Sequence, residues 1–200
     1  MRRARDPEPA SERRPAGEPA GATPPTIRAR TFAFAVTAHD LAVTIAWGEL
    51  DEHDAHRLAA AWRPTFAGPP RDTLVDVSEL TMSDVAAYAV VRELLESHRD
   101  ARARAVRRQA LVTDAGYGGV FVRGYYEAFP PPYAVRSFTR RADALAWLGH
   151  PCCAAELAEL AAARDELVDR LRTWLAAEPL ARTSLTAAAR ALELSPRTLQ

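Results

Sequence analysis

The sequence contains no lysine, only two cysteines and no long apolar run. All 26 basic residues are arginine, and 26 acidic residues bring the formal net charge to +0. That balance excludes neither a nucleic-acid partner nor a protein partner, because the charge that binds nucleic acid can be local. Cys152 and Cys153 are adjacent, so they cannot form a disulfide framework, and free thiols are typical of a cytoplasmic protein.

Signals for membrane insertion and secretion are also missing from the sequence. No run approaches the roughly 20 apolar residues of a membrane-spanning helix. The first ten residues, MRRARDPEPA, have no apolar stretch after their arginines. An apolar fraction of 48% and a charged fraction of 26% are ordinary for a globular protein. We therefore expect a cytoplasmic protein with a packed core and no membrane partner.

Composition and pattern divide the chain into four segments. Residues 1–30 are rich in proline, arginine and alanine and have almost no large aliphatic side chains, which predicts a disordered tail. Residues 31–149 alternate strand-like and helix-like stretches, which predicts an α/β domain. Residues 150–164 are predicted to form a linker helix. Residues 165–200 show helical patterns only, so they predict an all-α segment.

Within residues 31–149 the apolar spacing places each element. Alternating apolar residues predict strands at TFAFAVT, LAVTIAWGEL, TLVDVSEL, RRQALVTD and PYAVRSF. Spacings of three and four predict helices at DEHDAHRLAAAW, residues 83–98, GYGGVFVRGYYEAF and TRRADALAWLG. The last of these helices is expected to end on Gly149. The inner side of helix 83–98 is predicted to carry Val85, Tyr88, Val91, Leu94 and Leu95.

The order of these elements, with LVDVSEL entering a helix and the closing phrase RSFTRRADALAWLG, resembles the STAS domain, in particular its anti-anti-sigma-like branch. The resemblance covers roughly residues 31–149 and implies a mixed sheet with helices. Signalling members of that family carry a strand ending Asp-x-Ser, followed by an Asp-Ser pair whose serine a partner kinase phosphorylates. Asp76, Ser78 and Asp84 match this pattern, but Val85 and Ala86 stand where the serine belongs. The resemblance therefore implies a scaffold for protein contact or ligand sensing, in which that phosphorylation switch is not expected.

Two groups of residues in this domain, a histidine pair and a glycine cluster, each have a structural and a chemical interpretation. His53 and His56 are three residues apart and could share a metal, but no third histidine or cysteine follows at ligand spacing. A solvated helix start is favoured. Gly116, Gly118 and Gly119 lie between a strand and a helix without the third glycine or the acid of a dinucleotide-binding loop, so a structural turn is favoured.

Aromatic and basic side chains form two further groups. Phe121, Tyr125 and Phe129 make a stripe on one helix face, which favours core packing over a ligand box. A run of arginines favours a solvated helix end over a phosphate-binding patch; its members are Arg99, Arg102, Arg104, Arg107 and Arg108. We find no nucleophile with a base and an orienting group, so we expect no enzyme, no cofactor and no metal.

The helical end carries the most specific motif. SLTAAARALELSPRTLQ predicts two short helices joined by a tight turn, with Pro196 opening the second helix. Ser184 or Thr183 is expected to cap the first helix, whose inner residues are Leu185, Ala188, Ala189 and Leu192. This stretch closely resembles the first helix-turn-helix of AraC/XylS-type transcription regulators, with Glu193 where glycine is usual. The family has two such units and this chain carries part of the first, so we expect a fragment or a short form.

The second resemblance implies a DNA interface. The last helix would be the recognition helix, in which Arg197 reaches guanine or phosphate, Gln200 pairs with adenine and Thr198 contacts either base or backbone. Ser195 would cap that helix and touch phosphate, and Ser184 completes the expected DNA-binding set. A structural helical hairpin used for dimerisation is the alternative for this segment.

Two functions follow from these observations. The first is a sequence-specific DNA-binding transcription regulator, expected to be a homodimer, whose STAS-like domain senses a protein partner or a small-molecule effector. The alternative is a STAS-like protein-interaction module of the anti-sigma antagonist type with a vestigial helical tail. A small-molecule carrier that uses the aromatic stripe is a third, weaker hypothesis.

Overall fold

A six-stranded mixed sheet organises the computed structural model, which describes residues 26–114, 116–162, 174 and 184–191. The strands lie in the sheet in chain order. β1 to β3 are antiparallel and β3 to β6 are parallel. The strands are β1 (Ile27–Arg28), β2 (Phe32–Val36), β3 (Leu41–Leu50), β4 (Arg71–Ser83), β5 (Val106–Val112) and β6 (Ala134–Phe138). The predicted fold class, an α/β mixed sheet with helices, is confirmed.

Helices connect the parallel strands and continue beyond the sheet. The helices are α1 (Glu52–Trp62), α2 (Val85–Ser97), α3 (Arg99–Ala105), α4 (Tyr117–Ala128), α5 (Arg141–Leu148), α6 (residues 154–162) and α7 (Leu185–Ala191). Two 3₁₀ turns, Arg63–Ala67 and Pro151–Cys153, follow α1 and precede α6. Among the residues described, no helix combines the length and apolar character that crossing a bilayer requires.

The sheet separates two hydrophobic cores, because successive side chains of a strand point to opposite faces. One face packs against α1, α2 and α4, and its buried members include Phe32, Phe34, Ala46, Leu58, Val75, Val77, Leu80 and Ala87. The other face packs against α5 and α6, and its buried members include Ala33, Val43, Ile45, Leu74, Val112, Leu145, Leu148 and Leu157. Burial on both faces explains why β3, LAVTIAWGEL, carries a nearly continuous apolar run.

Local capping interactions fix the helix boundaries. Asp51 caps α1 by accepting a hydrogen bond from the Asp54 amide at 2.9 Å. Asp84 caps α2 by accepting one from the Ala87 amide at 2.5 Å. Gly149 ends α5 with a φ of +78°, a left-handed conformation that favours glycine. The predicted end of this helix at Gly149 is confirmed.

The amino-terminal boundary differs from the one that composition suggests. Ile27 and Arg28 lie within the predicted tail of residues 1–30, yet they pair with Phe34 and Ala33 of β2. Ile27 is half-buried against the core on the α1 side. A strand of two residues shows no periodicity, so the sequence pattern cannot reveal it. Residues 1–25, the rest of the predicted tail, lie outside the described residues.

Candidate functional site

The parallel strand β5 ends at Val112, which pairs with Asp76, and its neighbour β4 continues to Ser83. Asp76, predicted from the Asp-x-Ser pattern, is completely buried. Its Oδ1 accepts hydrogen bonds from the Ser78 amide at 2.9 Å and the Ser78 hydroxyl at 2.6 Å, and its Oδ2 accepts one from Arg141. Arg141 also lies 3.6 Å from Glu79. Because its lone pairs are engaged in this way, Asp76 serves to tie β4 to α5.

The last residue of the STAS-like pattern, Asp84, lies at the start of α2. Asp84 occupies the cap position, and its amide donates to the Leu50 carbonyl at 3.2 Å, which joins the helix start to β3. Val85, the first residue of the helix, is 85% exposed, and Ala86 is exposed as well. The position that carries the phosphorylated serine in the family pattern is therefore an apolar side chain in full contact with solvent.

This exposure corrects the predicted inner face of α2. Val85 was expected on the core side, but only Ala87, Leu94 and Leu95 are buried, while Tyr88 and Val91 are half-buried. The prediction for Val85 is wrong because Val85 shares one face of α2 with Ala89, Arg92 and Glu96, which are all exposed.

A second exposed valine lies near the start of α4. Val120 is 58% exposed in the first turn of α4, which follows β5 just as α2 follows β4. Asp114, exposed at the end of β5, contributes an acidic group. The Tyr88 ring of α2 contacts the Tyr125 ring of α4 at a centroid distance of 5.9 Å, so the two helices are neighbours on this side of the sheet. We call Asp84, Val85, Asp114 and Val120 the carboxyl-edge surface.

The glycines before α4 have a packing role. A Cβ on Gly119 would lie 2.3 Å from the Asp114 carbonyl oxygen, and one on Gly116 would lie 2.5 Å from the Asp114 side chain. Arg123 closes the same turn by donating to the Asp114 carbonyl and to the Thr113 hydroxyl, both at 2.9 Å. The predicted structural turn is confirmed, since glycine is needed for this close approach.

The acidic and histidine-rich start of α1 is built around a buried aspartate. Asp54 accepts a hydrogen bond from the Thr31 hydroxyl at 2.7 Å and pairs with Arg30 at 3.2 Å. His53 and His56 are exposed. Within the ranges that the structure describes, no three acidic, histidine or cysteine side chains are grouped to hold a metal. The cluster links β2 to α1.

The prediction that the arginine run is solvated is wrong for two of its five members, Arg102 and Arg108, whereas Arg99, Arg104 and Arg107 are exposed. Arg102 is buried, donates to the Leu95 carbonyl at 3.2 Å and to the Tyr133 hydroxyl, and lies over the Tyr133 ring at 5.3 Å. Arg108 donates to both oxygens of Asp72, at 3.3 and 3.2 Å. These partners lie 7 to 36 positions away in the sequence, so the local pattern of the run does not show them.

Tyr125, the middle residue of the aromatic stripe on α4, packs within the protein as predicted. Tyr125 contacts the rings of Phe129, Tyr126 and Tyr88 at centroid distances of 5.3, 5.6 and 5.9 Å. Burial raises the pKa of Tyr125 to about 12, with Arg102 opposing the shift. Phe129 is 42% exposed at the helix end. Nothing is described of the Phe121 side chain.

Of the predicted DNA-binding residues, Ser184 is described. Its side chain accepts a hydrogen bond from the Ala187 amide at 3.1 Å, so it caps α7 as expected. Ala188 and Ala189 are buried, in agreement with their predicted inward direction. Ser195, Arg197, Thr198 and Gln200 lie outside the described residues, so their DNA-binding roles stay predictions.

Sequence reasoning did not find a polar group beneath α3 and α4. It comprises Arg71, Arg102, Gln109, Tyr126 and Tyr133, which line one recess on the α1 side of the sheet. These residues come from four separate elements and a loop, and no spacing in the sequence joins them. The local sequence signal is limited to Arg71 and Gln109, a charged and a polar side chain at buried positions of β4 and β5.

Comparisons with known proteins give two similar solved structures. An uncharacterized protein of the DUF3478 family from Shewanella loihica, described as having a SpoIIAA-like fold, is 20% identical, with a TM-score of 0.46 over 58% of this chain and 91% of its own. A proposed anti-sigma factor antagonist from Thermotoga maritima is 15% identical, with a TM-score of 0.41 over 59% of this chain and 94% of its own. No protein-family model matches the chain, and no curated protein matches it. At these values neither similar structure identifies a function.

Proposed function

We propose that this chain is a STAS-like interaction module that binds a protein partner through the carboxyl-edge surface. The observation that carries the proposal is Val85, a valine with 85% of its area in solvent at the first turn of a capped helix. Exposing a large apolar side chain at a rigid position has no benefit for folding, whereas a partner that covers it gains its transfer free energy.

The flanking groups define the chemistry of that partner. Val120 adds a second exposed apolar side chain in the first turn of α4, Asp84 directly precedes Val85, and Asp114 lies between β5 and α4. A partner with an apolar patch bordered by arginine or lysine complements this arrangement. An antagonist of a sigma factor is the class of partner that the Asp76, Ser78 and Asp84 pattern suggests. Since Val85 offers no hydroxyl, binding at this position is expected to be independent of serine phosphorylation.

The test uses a charge placed in the centre of the surface. Val85→Asp should weaken binding of a captured partner at least about tenfold, because a buried carboxylate without a counter-charge is costly. Ala146→Asp is the matched control, since Ala146 is exposed on α5 at the other face of the sheet. Cross-linking with mass spectrometry identifies the partner, and calorimetry measures the affinity. Equal affinity of the wild type and Val85→Asp for the partner would show that the carboxyl-edge surface does not bind it.

A DNA-binding regulator is the second candidate, favoured by the Ser184-capped helix α7 that precedes LSPRTLQ. In this proposal Ser184, Ser195, Arg197, Thr198 and Gln200 contact DNA, and two copies bind two half-sites. The STAS-like domain then reports a bound partner or effector to the helical segment by shifting the population of DNA-competent dimers.

Salt dependence tests this second candidate. Binding to a selected DNA sequence, measured by fluorescence anisotropy, should fall steeply between about 50 and 200 mM salt, because phosphate contacts release counterions. Arg197→Ala should weaken binding, whereas Arg92→Ala, which removes a half-exposed arginine of α2, should not. Failure to bind any member of a random DNA pool at low salt would refute the candidate.

A further inference from the structure

A cavity lies between the sheet and helices α1, α2 and α4. Its volume is about 90 Å³, and its walls are almost entirely apolar, with Leu50, Leu58, Val77, Leu80 and Val122 among them. By the same measure a single water needs about 10–15 Å³ and two to four polar partners. The cavity therefore has room for several waters but offers them few partners. Apolar walls of this kind favour an apolar group over water, because burying apolar surface is favourable.

A smaller recess of about 40 Å³ adjoins this cavity. The two share part of their walls, formed by Thr44, Trp62, Val75, Leu95 and Tyr126. The recess also has polar lining residues, Arg71, Arg102, Gln109 and Tyr133. One polar end and one apolar end are thus placed side by side under the same helices.

Arg71 is the charged group at the polar end. Only 8% of its surface is exposed, and its Nε has no hydrogen-bond partner among the described residues. The Nε lies 3.3 Å from Oδ1 of Asp40, close enough for charge attraction but outside hydrogen-bond geometry. About half of the Asp40 side chain is exposed, so solvent screens that attraction. A buried guanidinium with an unused N–H calls for an anionic acceptor.

A chain of hydrogen bonds orients a second donor toward the same place. Arg102 donates to the Tyr133 hydroxyl, Tyr133 donates to Gln109 Oε1 at 3.1 Å, and Gln109 Nε2 donates to the Tyr126 hydroxyl at 2.5 Å. Burial raises the pKa of Tyr126 and of Tyr133, so both phenols are protonated at neutral pH. The Tyr126 hydroxyl accepts within this chain, which leaves its own hydrogen to donate. Tyr126 is on the shared wall of recess and cavity.

We propose that the recess and the cavity together bind one small amphipathic carboxylic acid. The carboxylate sits at the Arg71 guanidinium and accepts from the Tyr126 hydroxyl, and the apolar tail enters the cavity beside Leu58 and Leu80. Arginine suits a carboxylate because its planar fork matches the two oxygens. The site shares no residue with the carboxyl-edge surface, so its test and that of the partner surface are independent.

Octanoate is the probe, and octan-1-ol is the neutral probe of the same length. Calorimetry on the full chain should show octanoate binding at least about tenfold tighter than octanol, because only the acid gains the charge-assisted hydrogen bond. Arg71→Gln should remove this preference and leave octanol binding unchanged. Ala46→Leu, which adds bulk to the buried cavity wall, should weaken both probes.

Asp40→Asn separates a ligand role for Arg71 from a structural one. Asp40 has a φ of +59°, a conformation that asparagine also tolerates, so the substitution preserves the backbone. Removing the carboxylate that competes for Arg71 should keep or tighten octanoate binding, the opposite of Arg71→Gln. If Arg71 only holds the fold through Asp40, the two variants will weaken binding alike, which overturns the proposal.

Thermal unfolding of each variant keeps the result interpretable. If Arg71→Gln does not fold, the other two variants test the proposal. The proposal is overturned if Ala46→Leu leaves the octanoate affinity unchanged. It is also overturned if Asp40→Asn lowers the octanoate affinity tenfold. Absence of octanoate binding by the wild-type chain overturns it as well.

Discussion

Asp72 illustrates how single side chains hold this fold. Its carboxylate is buried at the start of β4, with Arg108 and His150 each at 3.2 Å and Arg107 at 3.6 Å. Burial raises the pKa of Asp72, but hydrogen bonds from Arg108 and His150 and the charges of both arginines outweigh burial and hold the pKa below its ordinary value. The carboxylate therefore joins β4, β5 and the end of α5 as an anion.

The stability that Asp72 contributes should depend on pH with a defined sign. Because its folded pKa is lowered, the contribution is present above the ordinary pKa of about 3.9 and is lost as pH falls through the folded pKa. Asp72→Asn should lower the free energy of unfolding by about 2 kcal/mol at neutral pH. The difference between variant and wild type should shrink in acid, which urea unfolding at both pH values measures.

Asp143→Asn is the control for this pH dependence. Asp143 forms an exposed pair with Arg140 at 3.2 Å, and such pairs contribute less than about 1 kcal/mol. Its removal should have little effect at either pH. A constant loss for Asp72→Asn from neutral to acidic pH would show that its charge does not stabilise the protein.

At the scale of single elements, two glycines test how backbone conformation determines helix ends and interiors. Gly149 ends α5 with positive φ, and Gly124 lies inside α4. A Cβ at either position would meet no atom within 4 Å. Packing is therefore equal at the two sites, and conformation alone distinguishes them.

Replacing each glycine by alanine should change stability in opposite directions. Gly149→Ala should cost about 1 kcal/mol, because alanine is strained in the left-handed conformation. Gly124→Ala should stabilise the protein by about 0.5–1 kcal/mol, because alanine is the better helix former. Thermal or urea unfolding of both variants measures the difference. If both substitutions lower the free energy of unfolding by a similar amount, backbone conformation does not distinguish the two positions.

At the scale of the whole molecule, local patterns predict the elements but not the long-range ion pairs. Alternation and helical spacing predict strands and helices because each element must bury one face locally. The spacing of apolar residues places Val85 on the core side of α2, but Val85 lies on the same exposed face as Ala89 and Arg92. The roles of Arg102 and Arg108 were missed because their partners Tyr133 and Asp72 lie 31 and 36 positions away.

One candidate site could be predicted from the sequence and the other could not. The Asp76, Ser78 and Asp84 pattern led to the carboxyl-edge surface because those residues are close in sequence. The recess at Arg71 could not be predicted, since Gln109 and Tyr126 reach it only through strand order and helix packing. The residue type at a single position does not show which distant residues lie beside it in the folded protein.

The outer edges of the sheet also bear on how two copies can associate. β1, at one edge, offers only two residues for pairing, and β6, at the other, offers five. Arg136 is the central residue of β6 and is exposed. If two copies joined antiparallel about that centre, the two guanidinium groups would face each other across the new strand pair and repel. Arg136 therefore disfavours a symmetric antiparallel pairing of two copies through β6.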